Sequence, residues 1–459
     1  MSDNPIEYEK IPKLLRGFAL PSITATLVSS LYNIVDQIFI GQGVGYLGNA
    51  ATNVSYPLTT ICLAISLLIG IGSASRFSIY LGANENKKAA NLVGNGVVMM
   101  AGAGLIYLIL GEIFLSQSLK IFGATEEIMP YAMQYAGITL LGMPFLIMTN
   151  GISNLIRADG SPKYSMACMV TGAIVNTILD PIFIFVFKWG VIGAALATVL
   201  GQVVSFFLAI FYLKKFKTIK LTKSCFKMNF KDNLKTLCMG ISSCINQVAI
   251  TIVQIVLNNS LTYYGALSVY GKEIPLAACG IVMKTNAILL SIVVGISQGV
   301  QPIIGFNFGA RKYDRVKKAF LEAIKWNFAV SIVGFCLFQF FPKQIISIFG
   351  TGDDLYYEFA ILFMRTFLFM VIVNGVQLLS SNFFTAIGKA VKGLLLSLTR
   401  QVFFLIPLIL ILPLKFGIFG VLLAGPVADF IAFIVSVTFI YKEFKVLNSK
   451  EKLLSQNSQ

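Results

Sequence analysis

The sequence predicts an all-α polytopic membrane protein with twelve transmembrane helices in two six-helix bundles, related by a pseudo-two-fold axis along the membrane normal. Three observations carry this prediction: the composition, a series of long apolar segments, and an internal repeat. Of the 459 residues, 56% are hydrophobic and 12% are charged, about half the charged fraction of a typical soluble domain. So few charges cannot cover a soluble surface, and we therefore expect most of the surface to face lipid.

Twelve apolar segments follow one another, each long enough to cross a hydrocarbon core of about 30 Å. We expect helices, because lipid offers the backbone no hydrogen-bond partners and the alternation of barrel strands is absent. The first segment lacks a cleavage site, so we expect it to be retained and not removed as a signal peptide. The predicted spans, numbered 1 to 12, are 14–40, 52–80, 90–116, 128–156, 163–187, 190–213, 233–263, 275–306, 316–341, 357–385, 389–414 and 416–441.

The basic residues are distributed unequally between the two sides of the membrane. With both termini inside, the cytoplasmic segments hold 26 of the 36 Lys and Arg residues, and the outer loops hold five. This asymmetry predicts cytoplasmic termini and an even number of spans. The longest basic stretch, at 214–235, predicts a connector between two lobes. The predicted domains are an N-lobe at 1–213, a basic cytoplasmic connector at 214–232, a C-lobe at 233–441 and a cytoplasmic tail at 442–459.

The composition also excludes several classes of function. Cytoplasmic lysines account for the net charge of +16, and no nucleic-acid motif accompanies them, so we expect no nucleic-acid partner. The seven cysteines have no metal-ligand or framework spacing, and the chain has no histidine. We therefore expect no disulfide framework, no zinc site and no cofactor, and any proton transfer must use carboxylates.

Three segments recur at a nearly constant offset. GVIGAALA at 190–197 returns as GIFGVLLA at 417–424, which is 227 residues later. YLGANENKK after span 2 returns as NFGARKYDRVKK after span 8, which pairs Gly82 with Gly309, and SNLIRADG of span 4 returns as SNFFTAIG of span 10. Two units of six spans share one orientation and should enclose a cavity between them.

Ionisable residues inside spans are candidates for function, because burying them in lipid is costly. Asp36 lies in span 1, and Asp180 lies in span 5 one turn after Asn176. Asp180 and Thr198 are equally far in sequence from the turn between spans 5 and 6. We therefore expect them at the same depth in the membrane. Such a set suits Na⁺ or a shared proton, although simple hydrogen bonding between helices is the alternative. Pro21 is expected to kink span 1, either statically or as a hinge.

The second half carries basic residues within its spans. Arg400 and Asp429 lie at matching distances from the turn between spans 11 and 12, which predicts a buried and mainly structural ion pair. Lys284 and Arg365 have no acidic partner visible in the sequence, so they either contact substrate or reach water or cap a broken helix. The candidate substrate-cavity residues are Gln247, Met283, Lys284 and Arg365.

Five motifs together resemble the multidrug and toxic compound extrusion (MATE) family of antiporters over nearly the whole chain. They are LYNIVDQIFIG in span 1, SNLIRADGSPK after span 4, NTILDPIF in span 5, GVQPIIGFNFGARK at the end of span 8 and PVADFIAF in span 12. The resemblance implies a secondary transporter, not an enzyme, that exports small organic substrates in exchange for H⁺ or Na⁺ by alternating access. It also implies a bending proline at Pro21 and a cation site at Asp36, Asn176, Asp180 and Thr198, with Asn150 of span 4 as an additional member.

One departure from the family pattern concerns span 7, which lacks the acid that another branch carries there. Coupling is therefore expected in the first half alone, and the charge of the substrate stays open. The alternative function is a flippase for a lipid-linked or anionic amphiphilic substrate, although such flippases usually have more than twelve spans. A channel is disfavoured because the acids do not form a ring. We expect a monomer, surrounded by lipid, in a prokaryotic plasma membrane.

Overall fold

The computed structural model describes residues 5–349 and 353–456, which are almost entirely helical. Ten helices in this part of the chain are long and apolar enough to cross a membrane, and a bent pair makes an eleventh candidate. Spans 1 to 9 are Ile11–Gly43, Leu47–Gly82, Asn86–Ile113, Met129–Ala158, Pro162–Val186, Gly190–Lys215, Phe230–Ala266, Glu273–Gly309 and Tyr313–Phe340; span 10 is the pair Asp354–Phe367 and Val371–Ala386; and Ala390–Gln456 holds spans 11 and 12.

The 67-residue segment Ala390–Gln456 is two spans folded against each other. A straight helix of that length would be about 100 Å long, three times the thickness of a bilayer core. Gly417 has φ +57° and ψ −144°, which is not helical, and Arg400 contacts Asp429 although 29 residues separate them. The chain therefore reverses at Gly417. The structure confirms twelve spans.

Span 10, predicted at 357–385, consists of two helices that meet at a 49° bend. The residues at the break, 368–370, include neither proline nor glycine, the usual sequence signals of a kink. The Gln339 side chain of span 9 donates to the Arg365 carbonyl oxygen at 2.8 Å. A neighbouring span thus satisfies a backbone acceptor beside the break, which makes the bend tolerable in lipid.

The internal repeat is visible in the backbone as matched left-handed residues. Asn84 and Arg311 have φ +60° and +59°, Gly160 and Gly388 have +83° and +82°, and Gly190 and Gly417 have +56° and +57°. The members of each pair are 227 or 228 residues apart. Each pair therefore shares a positive φ at the equivalent position of the two halves, although the turn after span 5 differs from the one after span 11 because Lys188 also has a positive φ (+58°).

Spans 2 and 8 cross closely through the paired glycines of the repeat. An ideal Cβ on Gly82 would lie 1.9 Å from the Phe306 carbonyl oxygen, and one on Gly309 would lie 2.0 Å from the Ile79 carbonyl oxygen. Each glycine thus packs against the backbone three residues before the other. This reciprocal contact is what a two-fold axis between the halves produces.

Both ends of the described chain lie at the same end of the molecule as this crossing. Lys312, just after span 8, bonds Glu7 near the N-terminus at 2.9 Å. Lys317 bonds Glu451 near the C-terminus at 2.9 Å. We call this end of the molecule the basic face.

Asp159, in the loop after span 4, binds the segment between spans 6 and 7 at the basic face. The buried Asp159 carboxylate accepts hydrogen bonds from the Tyr212 hydroxyl at 2.7 Å and from the backbone N–H groups of Lys217 and Thr218 at 2.8 and 3.0 Å. Burial raises the pKa of Asp159, and these hydrogen bonds oppose the rise.

Candidate functional site

The structure brings together four of the predicted cation-site residues from spans 1, 5 and 6. Asp36 is 8% exposed and Asp180 is fully buried, and the two carboxyl groups are close enough to interact electrostatically. The Asn176 amide donates to Asp180 Oδ1 at 3.2 Å and lies 3.4 Å from Thr198 Oγ1. We call these four residues the acid cluster.

Close packing of spans 5 and 6 positions Thr198 beside Asn176. An ideal Cβ on Gly172 would lie 1.9 Å from Ser205 Oγ, and one on Gly201 would lie 2.6 Å from the Gly172 carbonyl oxygen. Only glycines at these two positions let the helices approach so closely.

The backbone changes immediately after Asp180, which the sequence analysis did not predict. Pro181 is followed by a π-helical turn at Ile182–Val186, and proline has no N–H to continue the helical hydrogen bonds. Single π-turns occur frequently at functional sites, where they redirect the residues around them.

Several oxygens of the acid cluster lack a hydrogen-bond partner within the described structure. They are Asp36 Oδ1, Asp180 Oδ2 and Asn176 Oδ1. No described salt bridge involves either acid within residues 5–349 and 353–456. A buried acceptor without a donor is costly, and two carboxylates close together cannot both be ionised without a cation between them. This arrangement therefore fits a bound proton or a small cation.

Two tyrosines that the sequence analysis missed lie around the acid cluster. Tyr32, one turn before Asp36, is close enough to interact with both acids and with Tyr56 of span 2. Tyr135 of span 4 is close enough to interact with both acids and with Thr198. The four-residue spacing of Tyr32 and Asp36 predicts that both side chains lie on one face of span 1. Tyr135 could not be assigned in this way, because nothing in the sequence fixes which side of span 4 faces the acids.

Asn150 and Pro21, the two other residues that the family resemblance implies, make no contact with the acid cluster among the described contacts. The Asn150 amide donates to the Leu146 carbonyl oxygen of its own helix at 3.2 Å. Pro21 lies within the continuous helix of span 1, between Ala19 and Ile23. Those two residues pack directly on glycines of span 8.

Spans 1 and 8 are in contact near the basic face and separate further along. Thr26 Oγ1 donates to the Ser291 carbonyl oxygen at 2.8 Å. Asn33 lies two turns after Thr26 on span 1, and Lys284 lies two turns before Ser291 on span 8, each on the same face of its helix. If the two antiparallel helices stayed in contact, Asn33 and Lys284 would meet. Both are exposed. A cleft therefore opens between the halves, away from the basic face, and Lys284 lies on its wall.

Spans 2 and 7 diverge in the same direction. An ideal Cβ on Gly240 would lie 1.8 Å from the Leu68 carbonyl oxygen, whereas two turns further along span 7 Gln247 is half-exposed and so is Ile61 opposite it. Gln247 thus also lies on the cleft wall. Met283 is half-buried and packs against the core of the second half.

The two predicted arginine sites differ in their contacts. Arg400 Nε contacts Asp429 Oδ1, and both side chains are largely buried. The exposed Arg365 donates from Nε to the Gln339 carbonyl oxygen at 3.0 Å. Gln339 is in the last turn of span 9, so Arg365 caps that helix at the bend of span 10.

A two-lobed bundle of twelve helices, with a buried acid cluster in one lobe and a cleft between the lobes, defines a secondary membrane transporter. The model of the MatE family matches residues 21–182 and 242–411. The chain therefore belongs to the MatE family, whose members are transporters and not enzymes.

Curated relatives match this chain over nearly its full length. The multidrug export protein MepA of Staphylococcus aureus (strain MSSA476) is 27% identical over 447 residues, covering 96% of each chain. The MepA protein of Staphylococcus haemolyticus (strain JCSC1435) is 26% identical over 450 residues, covering 95% of this chain and 94% of the relative.

Solved structures share the fold. A multidrug resistance MATE family transporter of the MOP superfamily, in an outward-facing conformation, has a TM-score of 0.90 at 22% identity, covering 98% of this chain and 99% of that chain. A MOP superfamily transporter from Pyrococcus furiosus, described as having a binding pocket of reverse polarity, has a TM-score of 0.91 at 22% identity, with the same coverage.

Proposed function

We propose that this protein is a cation-coupled antiporter that exports small organic or lipophilic molecules by alternating access. The observation that carries the proposal is the acid cluster, with three acceptor oxygens that lack donors. The multidrug export relatives support a lipophilic substrate. Twelve spans and the family assignment favour this function over the flippase.

The acid cluster is proposed as the coupling site, with Asp36 and Asp180 as the groups that bind the ion. A shared proton or a bound Na⁺ would each remove the repulsion between two carboxylates at this separation. Asn176 and Thr198 hold the pair in place. Asn150, which bonds within span 4, has at most an indirect role in this proposal.

Pro21 is proposed as the hinge of span 1. The contacts of span 1 with span 8 lie on both sides of Pro21, so a bend at Pro21 would release the Ile23 and Thr26 contacts while Ala19 stays in place. Asp36 lies about 15 Å beyond Thr26, and a change of charge there would move this part of the helix away from span 8. Such a change drives transport only if the ion binds the two conformations with different affinity.

Substrate is proposed to bind in the cleft, against Gln247, Met283 and Lys284 of the second lobe. An ammonium group at Lys284 favours substrates that carry an anionic or strongly polar group beside their apolar part. Arg365 is left out of this set because it caps span 9.

The basic face is proposed to be cytoplasmic, supported by the excess of Lys and Arg there. The described conformation is then outward-facing. We keep the N-lobe at 1–213, the connector at 214–232, the C-lobe at 233–441 and the tail at 442–459 as proposed domains. A monomer in a bacterial plasma membrane completes the proposal, supported by the bacterial relatives.

Transport by proteoliposomes tests the proposal. A fluorescent amphiphilic dye that carries an anionic or strongly polar group should be transported in the direction opposite to proton flow when a pH gradient is imposed, and Asp36→Asn and Asp180→Asn should each abolish that transport. Glu112→Gln, an exposed acid at the outer end of span 3, is the matched control and should transport normally. Transport driven by a sodium gradient alone would show that the coupling ion is Na⁺ and not H⁺. Normal export by either Asn variant would refute the assignment of the acid cluster as the coupling site.

A further inference from the structure

A groove of about 710 Å³ opens at the basic face between the two lobes, away from the cleft. Span 2 forms one wall, and the first turns of spans 7 and 11 form the other. Its lining is mostly apolar, with Ile79, Leu234, Cys238 and Val391 among the lining residues. Nothing in the proposed transport cycle uses this groove.

The groove is continuous with an exposed apolar stripe of span 7. An apolar stripe of exposed residues runs the length of span 7, and its members lie within a narrow arc of the helix: Phe230, Leu234, Ile241, Val248 and Ile255. Gly240, which packs on span 2, is about a third of a turn away from this stripe. Leu234 therefore belongs both to the lipid-facing stripe and to the groove.

Positive charge surrounds the groove at the level of the lipid headgroups. The exposed Lys235 lines it in the second turn of span 7. Lys389 and Lys392 line it at the start of span 11, and both ammonium groups are held by the fully buried Glu443 carboxylate. Three lysines facing one carboxylate leave a net charge of +2.

The inner end of the groove is closed by a bond between the lobes. The Arg76 guanidinium of span 2 donates to the Asp232 carbonyl oxygen and to Thr236 Oγ1 at 2.9 Å, both of span 7. Its charge is balanced by the Asp232 carboxylate at 3.3 Å. The groove therefore exists only while spans 2 and 7 stay together.

We propose that this groove binds one anionic phospholipid, with its phosphate at Lys235, Lys389 and Lys392 and an acyl chain along Leu234, Cys238 and Val391. Basic pockets between transmembrane helices on the cytoplasmic side suit such headgroups. Because both lobes form the walls, the lipid stabilises the conformation that is closed at the basic face. The lipid acts there as a ligand that biases the transport cycle, and it is not the transported molecule.

Maleimide labelling of Cys238 in the full-length protein tests this site. Cys238 and Cys336 are exposed and Cys244 is partly exposed, whereas the other described cysteines are buried; a background with Cys244→Ser and Cys336→Ser therefore leaves Cys238 as the reactive one. Phosphatidylglycerol in mixed micelles should slow labelling at least about tenfold at saturation, and phosphatidylcholine should not.

Variants of the groove lysines test whether the lipid headgroup binds there. Lys235→Gln, at an exposed side chain, should weaken protection by phosphatidylglycerol roughly fivefold, and Lys235→Gln with Lys392→Gln roughly twenty-five-fold. Lys163→Gln with Lys442→Gln removes two exposed charges of the basic face outside the groove and should change nothing. Equal protection by both lipids, no protection, or protection by a transported dye instead of lipid would each overturn the proposal.

Discussion

Substituting Gly309 by alanine should shift the protein away from the conformation that is closed at the basic face. The added Cβ would lie 2.0 Å from the Ile79 carbonyl oxygen and 2.8 Å from its carbonyl carbon. Spans 2 and 8 must part by about 1.4 Å to reach the 3.4 Å of an ordinary contact, and the atoms in the way are backbone atoms that cannot rotate aside. Gly82→Ala should act in the same way from the other lobe.

The size of the shift follows from the cost of overpacking. Overfilled contacts cost about 1 to 3 kcal/mol, which corresponds to a change of about 5-fold to 150-fold in the equilibrium between conformations. The gain in helix propensity from glycine to alanine is present in both conformations and therefore cancels. Only the closed conformation contains the crossing that the new methyl group obstructs.

Electron paramagnetic resonance distances between spin labels measure this equilibrium. Labels at Lys88→Cys and Lys318→Cys, in a background whose exposed and partly exposed cysteines are changed to serine, report the separation of the lobes at the basic face. Gly309→Ala should add a population at longer distance. The control Gly102→Ala has no atom within 4 Å of the new Cβ and should leave the distances unchanged. An unchanged distribution in Gly309→Ala would refute the reasoning.

Three further predictions concern stability. Asp159→Ala removes the acceptor of the Tyr212 hydroxyl and of the Lys217 and Thr218 N–H groups, each bond contributing about 1 kcal/mol, and trypsin should then cleave the lysine-rich connector at least about tenfold faster than in wild type. Gln339→Ala removes the donor to the Arg365 carbonyl and should lower the Tm in detergent, whereas a Tm equal to wild type would show that another group satisfies the bend. Asp429→Leu alone should destabilise by about 3–5 kcal/mol because it leaves Arg400 buried and unpaired, and adding Arg400→Met should restore most of the loss; a double variant as unstable as the single one would contradict this.

Much of the fold could be predicted because lipid imposes few solutions on the backbone. The length of the apolar segments and the distribution of lysines predict spans and turns, and Gly82, Gly190 and Gly309 reveal the repeat. Counting residues to a shared turn predicts only part of the acid cluster. Because spans 5 and 6 form a hairpin, the count brings Thr198 near the end of span 5, where it contacts Asn176, one turn before Asp180.

The remaining features depend on packing between spans that are distant in sequence. The bend of span 10 has no proline or glycine, and it is supported by Gln339 of another helix. Arg365 was an open candidate for substrate contact until its bond to span 9 was known. Tyr135 could not be assigned to the acid cluster because sequence does not fix the rotation of span 4.

The central claim is that the ion bound by Asp36 and Asp180 decides which face of the protein is closed. The direct test is the distance between the two basic-face labels across a pH range, with and without Na⁺ at fixed pH. We predict that the distribution changes with proton concentration in the wild-type chain and becomes independent of pH in Asp36→Asn with Asp180→Asn. A double variant whose distances still respond to pH as the wild type does would contradict the account.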